Sequence, residues 1–146
     1  MTTTHERERQ SLLVSALIGP LHLAAIHAVI QSLNPNASNP ELQHIVIEAI
    51  RSLVDDGLVV TGYPGSDEEF IAEPLAEAMA NIESYYIGHF DEPADWMWAA
   101  WIDLTEDGKA VILETEEGRR VQAHESERQA ANAKADGQPG NRAREG

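Results

Sequence analysis

The chain has 146 residues, no cysteine and a formal net charge of -15 at neutral pH. Its length fits one domain with a sizeable core, and the lack of cysteine excludes disulfides, thiolate zinc sites and a cysteine nucleophile. The N-terminal sequence MTTTHERERQ is polar, and no apolar run approaches the roughly 20 residues that span a bilayer, so we expect a cytoplasmic protein with no membrane span.

The charge is unevenly distributed along the chain. Residues 19–118 contain 19 acidic side chains and two basic ones, Arg51 and Lys109. Residues 119–146 contain six basic and four acidic side chains. We therefore expect an anionic domain over residues 1–118 and a polar tail over residues 119–146, partly helical and then disordered from about Asp136.

Two helices are predicted at the start of the chain. Thr3 and Glu6 fit a capping box for a helix that runs from Thr4 to about Ile18 and ends before the Gly-Pro pair. Pro20 suits the first position of a second helix, PLHLAAIHAVIQSL, which ends before Asn34. This second helix is apolar on nearly every side, so we expect it at the centre of the domain.

A third helix follows, with Asn39 as its cap and Pro40 at its first position. It continues to Gly57, because apolar residues recur at helical spacing: Leu42, Ile45, Val46, Ala49, Ile50, Leu53 and Val54. The opposite face should be exposed and contains Gln43, His44, Glu48, Arg51, Ser52 and Asp55.

Two strands are predicted after the third helix, and we expect them to pair antiparallel. The first is LVVTG, from Leu58 to Gly62, and the second is WMWAAWIDL, from Trp96 to Leu104. Alternation along the second strand places Trp96 and Trp98 on one face and Trp101 on the other.

The segment of residues 63–95 between these strands is too long for a loop. Ser66 and Glu69 fit a second capping box. From Pro74, helical spacing up to Gly88 predicts an inserted helix with its apolar face at Leu75, Met79, Ile82 and Tyr86.

A last helix is predicted after the second strand. Thr105 would cap it, with Glu106 and Asp107 near its positive end, and it should run to about Thr115.

Three stretches resemble a bacterial winged-helix domain: the helix end AIRSLVDDG, the strand LVVTG, and the junction WIDLTEDGKAV with its Leu-Thr, two residues, Gly step. The resemblance implies an α+β fold, mostly α, with a three-helix core and a two-stranded antiparallel wing that here contains an inserted acidic helix. Two features depart from the family. Only Gly-Pro joins the first two helices, which leaves no room for the usual small first strand, and NPNASN is longer than a tight helix-turn-helix connection.

The family's DNA-contacting role would fall on one face of the third helix. Carried over residue by residue, it assigns DNA contacts to Gln43, His44, Arg51 and Ser52, with Glu48 among them. DNA affinity depends on neutralised phosphates, and this set offers a single permanent cation. A DNA-binding transcriptional regulator is therefore the alternative hypothesis, and nucleic acid is not the partner that we expect.

The main hypothesis is a non-catalytic, regulatory module that binds another protein through its acidic surface, which favours a basic partner. Carboxylates cluster in the insertion, and the tryptophans lie beside it in sequence. The candidate partner-binding residues are Glu68, Glu69, Glu73, Glu77, Trp96, Trp98 and Trp101. An acidic mimic of DNA is a further alternative, and a solvated, solubilising face is the interpretation that assigns no function.

Catalytic and metal patterns are weak in this sequence. His44 and Glu48 lie four residues apart on a helix, but no third ligand is implied. The DEPAD sequence lacks the alternating ligands of a calcium loop, and no serine lies in a nucleophile elbow. We therefore expect no enzyme, cofactor or metal, and the oligomeric state remains open.

Overall fold

A computed structural model describes residues 3–67 and 69–136. Over these residues the fold is α+β and mostly helical, and four strands form one antiparallel sheet in the order β1-β4-β2-β3. The strands are β1 Leu21–His22, β2 Val59–Pro64, β3 Phe70–Glu73 and β4 Trp101–Leu104. The α-helices are α1 Thr4–Ala16, α2 Leu23–Leu33, α3 Asn39–Asp55, α4 Leu75–Asn81, α5 Pro93–Trp96, α6 Glu106–Leu113 and α7 Glu116–Asp136. A π-helical turn, Ile82–Ile87, continues α4.

The first three helices form the core as predicted, with small shifts at their ends. The Thr3 hydroxyl oxygen accepts a hydrogen bond from the Glu6 amide at 3.1 Å, and α1 ends at Ala16 rather than Ile18. The cap of α3 is Ser38, one residue before the predicted cap, because Ser38 and Glu41 satisfy each other's backbone amides in a capping box. The predicted apolar face of α3 is confirmed: Leu42, Val46, Ala49, Ile50 and Leu53 are buried, and Ile45 and Val54 pack partly buried against them.

The junction between α1 and α2 differs from the prediction. Leu21 and His22 form β1, which pairs antiparallel with Ile102 and Trp101 of β4, and α2 begins only at Leu23. Pairing with β4 satisfies backbone groups that the first turn of a helix would leave without partners. The small first strand that the sequence was expected to lack is therefore present.

The predicted pairing of the two strands is confirmed, but the second strand is shorter than expected. Val59 lies opposite Leu104, and Gly62 lies opposite Trp101. The stretch before Trp101 is not strand, because Pro93 starts a one-turn helix, α5, that ends at Trp96 and leads into a turn. Alternation from Trp96 to Ala100 was therefore the wrong periodicity.

The wing contains a third strand that the sequence analysis did not predict. Ser66 and Asp67 form the turn of a hairpin between β2 and β3, closed by a hydrogen bond from the Gly65 amide to the Glu69 carbonyl at 2.7 Å. The proposed capping box at Ser66 and Glu69 is therefore wrong, since the chain continues as β3. The inserted helix itself is confirmed as α4 and the π-helical turn, with Met79, Ile82 and Tyr86 buried.

The Leu-Thr, two residues, Gly step, which is Leu104, Thr105 and Gly108, has a clear structural cause. The Thr105 hydroxyl caps α6 by accepting from the Gly108 amide at 3.0 Å and donates to the Gly57 carbonyl at 2.6 Å. A Cβ atom on Gly108 would lie 1.9 Å from the Leu58 carbonyl oxygen. Only glycine allows this approach between α6 and the start of β2.

The tail begins as a regular helix. The Thr115 hydroxyl accepts from the Gly118 amide at 2.9 Å, and α7 extends from Glu116 to Asp136. The disorder predicted for the rest of the tail concerns residues 137–146, which lie outside the described part. Within residues 3–67 and 69–136, no helix combines the length and the apolar content that crossing a bilayer requires.

Candidate interaction surfaces

The predicted DNA-contacting face of α3 is divided by the fold. Gln43 is only 9% exposed, and its side-chain amide donates to the Tyr86 carbonyl at 2.8 Å in the π-helical turn. Ser52 is half-buried and accepts a hydrogen bond from the Arg9 guanidinium of α1. Both residues were expected on the exposed face, and both instead hold α3 to neighbouring elements.

His44 and Arg51 remain exposed on α3. Arg51 lies in a shallow groove between α3 and the inserted helix, whose lining also includes Glu83. Glu48 and Asp55 are exposed within one helical turn of Arg51. The guanidinium of Arg51 therefore lies among carboxylates, and the predicted set does not form a continuous basic face.

The acidic candidates that the structure describes lie along the insertion. Glu69 and Glu77 are exposed, whereas Glu73 is half-buried at the end of β3. Glu68 lies outside the described residues. Between residues 52 and 108 the sequence contains 14 acidic residues and neither lysine nor arginine, so this segment has no permanent cation to balance its carboxylates.

Trp96 belongs to the core and is not available to a partner. It is 6% exposed, and its indole N–H donates to the Phe90 carbonyl at 2.9 Å. Its ring centroid lies 5.3 Å from that of Phe90 and 4.8 Å from that of Tyr86. These rings connect the insertion to α2 through His27.

His27 and Tyr86 form a buried hydrogen bond, with 2.6 Å between His27 Nδ1 and the Tyr86 hydroxyl oxygen. Burial lowers the pKa of His27 and raises the pKa of Tyr86. Both groups are therefore neutral near pH 7, and the arrangement in which the Tyr86 hydroxyl donates to His27 Nδ1 satisfies both.

The other two tryptophans, Trp98 and Trp101, stack on each other. Trp101 projects from the face of the sheet opposite to that of its buried neighbour Ile102. Trp98 is 55% exposed, and its ring lies 4.5 Å from that of His22 and 5.6 Å from that of Trp101. His22 and Trp101 are direct partners across β1 and β4, so they share a face. We call His22, Trp98 and Trp101 the outer aromatic patch. It contradicts the prediction that Trp98 shares a face with Trp96 rather than with Trp101.

A carboxylate lies on the same side of the sheet as this patch. Asp103 is two residues from Trp101 on β4, so both side chains project from one face. It is half-buried, and burial raises the pKa of Asp103, although a hydrogen bond from the Leu104 amide opposes this effect. Sequence analysis missed His22 and Asp103, because it placed His22 in a helix and assigned no role to the β4 carboxylate.

A second cluster of polar groups surrounds α5. The ligand atoms of His89, Glu92 and Asp95 all lie within 4.8 Å of one another, and all three residues are exposed. A hydrogen bond with Asp95 and repulsion from its charge raise the pKa of Glu92.

Models of known protein families, characterised proteins and solved structures yield no match to this chain.

Proposed function

We propose that this chain is a cytoplasmic, non-catalytic module of winged-helix type that acts, in a regulatory role, by binding a basic protein through its acidic insertion. The observation that carries the proposal is the packing of the insertion against α3. Gln43, a residue that a DNA-binding member would expose, is buried under the π-helical turn and bonded to Tyr86. An acidic element thus occupies part of the surface on which DNA would lie.

The order of the elements supports the winged-helix part of the proposal. Three helices precede the β2 and β4 strand pair, and β1 pairs with the other edge of β4. The Leu-Thr, two residues, Gly step lies where the resemblance implies that the wing closes, against the end of α3. The strand β3 and the inserted helix are additions to that arrangement.

Electrostatics favours a basic protein over DNA as the partner. Binding DNA requires several cations that displace counterions from phosphates, and residues 52–108 contain no lysine or arginine. The same carboxylates attract a basic protein from a distance and accelerate its encounter.

The experiment that tests this proposal first identifies the partner by position. A photo-crosslinking residue replaces Glu77 on α4, and in a parallel sample it replaces Glu127 on α7, where the side chain is also exposed. We expect a basic protein to be captured at position 77 and not at position 127. Capture of nucleic acid at position 77 would instead support the alternative, a DNA-binding regulator.

Association kinetics with the captured protein provide the second arm. Glu69→Lys with Glu77→Lys should slow association about tenfold at low salt, and the difference from wild type should shrink as salt is added. Glu114→Lys with Glu127→Lys is the matched control, because it changes the net charge equally on other elements. Equal slowing by both pairs, or by neither, would contradict a partner site at the insertion.

A further inference from the structure

The outer aromatic patch is a rigid, partly exposed aromatic surface in a chain that has few aromatic side chains. Trp98 exposes 55% of its surface, yet its ring is held by stacking on both His22 and Trp101. A ring that is already ordered loses little conformational entropy when a partner covers it. Exposed, pre-ordered tryptophans are therefore favoured as central contacts of protein interfaces.

The charge around the patch decides which chemical group it fits. A nucleobase could stack on Trp98, but its phosphates would need cations, and the segment of residues 52–108 supplies none as lysine or arginine. Burial lowers the pKa of His22 from its usual 6.5, so at neutral pH this ring adds little positive charge. Asp103, on the same face of the sheet as Trp101, adds negative charge.

Among cationic groups, guanidinium fits this surface better than ammonium. Its planar, weakly hydrated group stacks flat on an indole, whereas an ammonium group holds its water tightly. Cation–π attraction is strongest for tryptophan among the aromatic side chains. A nearby carboxylate adds Coulomb attraction to the same cation.

We propose that the outer aromatic patch binds an arginine side chain of the partner, with the guanidinium stacked on Trp98 and with Asp103 contributing attraction from the same face of the sheet. This inference rests on the proposed function for the basic character of the partner. It adds a second contact, separate from the acidic insertion, and it specifies arginine rather than lysine.

The test uses the full chain and two labelled decapeptides that differ only in having arginine or lysine at alternate positions among glycines. Fluorescence anisotropy at low salt gives both dissociation constants. Wild type should bind the arginine peptide more tightly than the lysine peptide. Trp98→Ala should weaken arginine-peptide binding about fivefold, the factor expected for about 1 kcal/mol of cation–π attraction, and should change lysine-peptide binding less than twofold.

Two controls separate this contact from loss of structure. Tyr63→Ala removes another exposed aromatic side chain of the same sheet, and it should leave both constants unchanged. In NMR spectra, the indole N–H signal of Trp98 should shift when the arginine peptide is added. The buried indole of Trp96, bonded to the Phe90 carbonyl, should not shift.

The outcomes distinguish this inference from the proposed function. If Trp98→Ala changes neither constant while Glu69→Lys with Glu77→Lys weakens both, the arginine contact is overturned and the acidic module stands. If neither peptide binds wild type, or if a single-stranded oligonucleotide shifts the Trp98 indole signal instead, the inference is overturned. If, in addition, the protein crosslinked at position 77 is not basic, the proposed function fails as well.

Discussion

Gly108 shows how a single residue determines the join between two elements. Its backbone lies against the Leu58 carbonyl, where a Cβ atom would approach within 1.9 Å. The Thr105 hydroxyl holds this contact by bonding to both Gly108 and Gly57. The sequence predicted the cap at Thr105, but the need for glycine came from a carbonyl 50 residues earlier, which no local pattern reveals.

Gly108→Ala should therefore destabilise the protein. Because the clash is with backbone, α6 must shift away from β2, and a cost of about 1–3 kcal/mol is typical of such overpacking. Urea denaturation measures the change. Gly19→Ala is the matched control, since a Cβ atom there meets nothing within 4 Å, and it should change stability by less than about 0.5 kcal/mol. Equal effects of the two substitutions would contradict the proposed contact.

The buried pair of His27 and Tyr86 should make stability depend on pH. Burial lowers the pKa of His27 in the folded state below its usual 6.5, so the unfolded chain binds the proton more readily. The contribution of His27 to the free energy of unfolding is therefore fully present above about pH 6.5. It is lost as the pH falls from there through the lowered pKa of the folded state.

The measurement compares wild type with His27→Gln by urea denaturation from pH 7.5 to pH 5. The free energy of unfolding of wild type should exceed that of His27→Gln by less as the pH falls. Groups that titrate in both proteins, such as His22, cancel in this difference. A difference in free energy of unfolding that stays constant over this range would show that unfolding does not change the protonation of His27.

At the scale of elements, the long helices and the pairing of β2 with β4 were predictable, whereas the short strands β1 and β3 were not. The α1 and α3 helices have caps and a sustained apolar period, so their own sequences specify them. The β1 strand has two residues, and its conformation is set by the partner strand β4, which lies 80 residues later. The outer aromatic patch was missed for the same reason, because β1 brings His22 to Trp101.

The docking of the insertion on α3 should depend on Gln43. Gln43→Ala removes the hydrogen bond to the Tyr86 carbonyl, which should cost about 1 kcal/mol in stability. Hydrogen exchange should rise mainly within residues 82–90, because those amides belong to the element released. His44→Ala, an exposed neighbour on α3, should affect neither quantity. Uniformly faster exchange across the domain would argue against a local docking contact.

At the scale of the whole molecule, the composition determines the net charge, and the fold determines where the charged side chains lie. The sequence showed that residues 19–118 contain only Arg51 and Lys109 as basic side chains. It did not show that Glu83 would share a groove with Arg51, or that Arg9 would be bonded to Ser52 and Asp56. Arg9 and Arg51 therefore lie beside other groups of the protein itself, and they do not form a shared basic face.

The same distribution predicts how the protein behaves toward DNA. At physiological salt the screening length is about 8 Å, so Arg51 attracts phosphate only together with the nearby carboxylates of Glu48, Asp55 and Glu83. The purified chain should therefore not shift random duplex DNA in a gel at physiological salt. Any shift at low salt should be nearly the same for Arg51→Ala, because one partly neutralised cation contributes at most one unit to the salt dependence.

Glu48→Lys with Asp55→Lys is the positive control: if α3 remains accessible, it should create a measurable shift at low salt. Tight, salt-sensitive binding by wild type that Arg51→Ala abolishes would instead establish a DNA-binding regulator, and the acidic insertion would then have to move away from α3 when DNA binds.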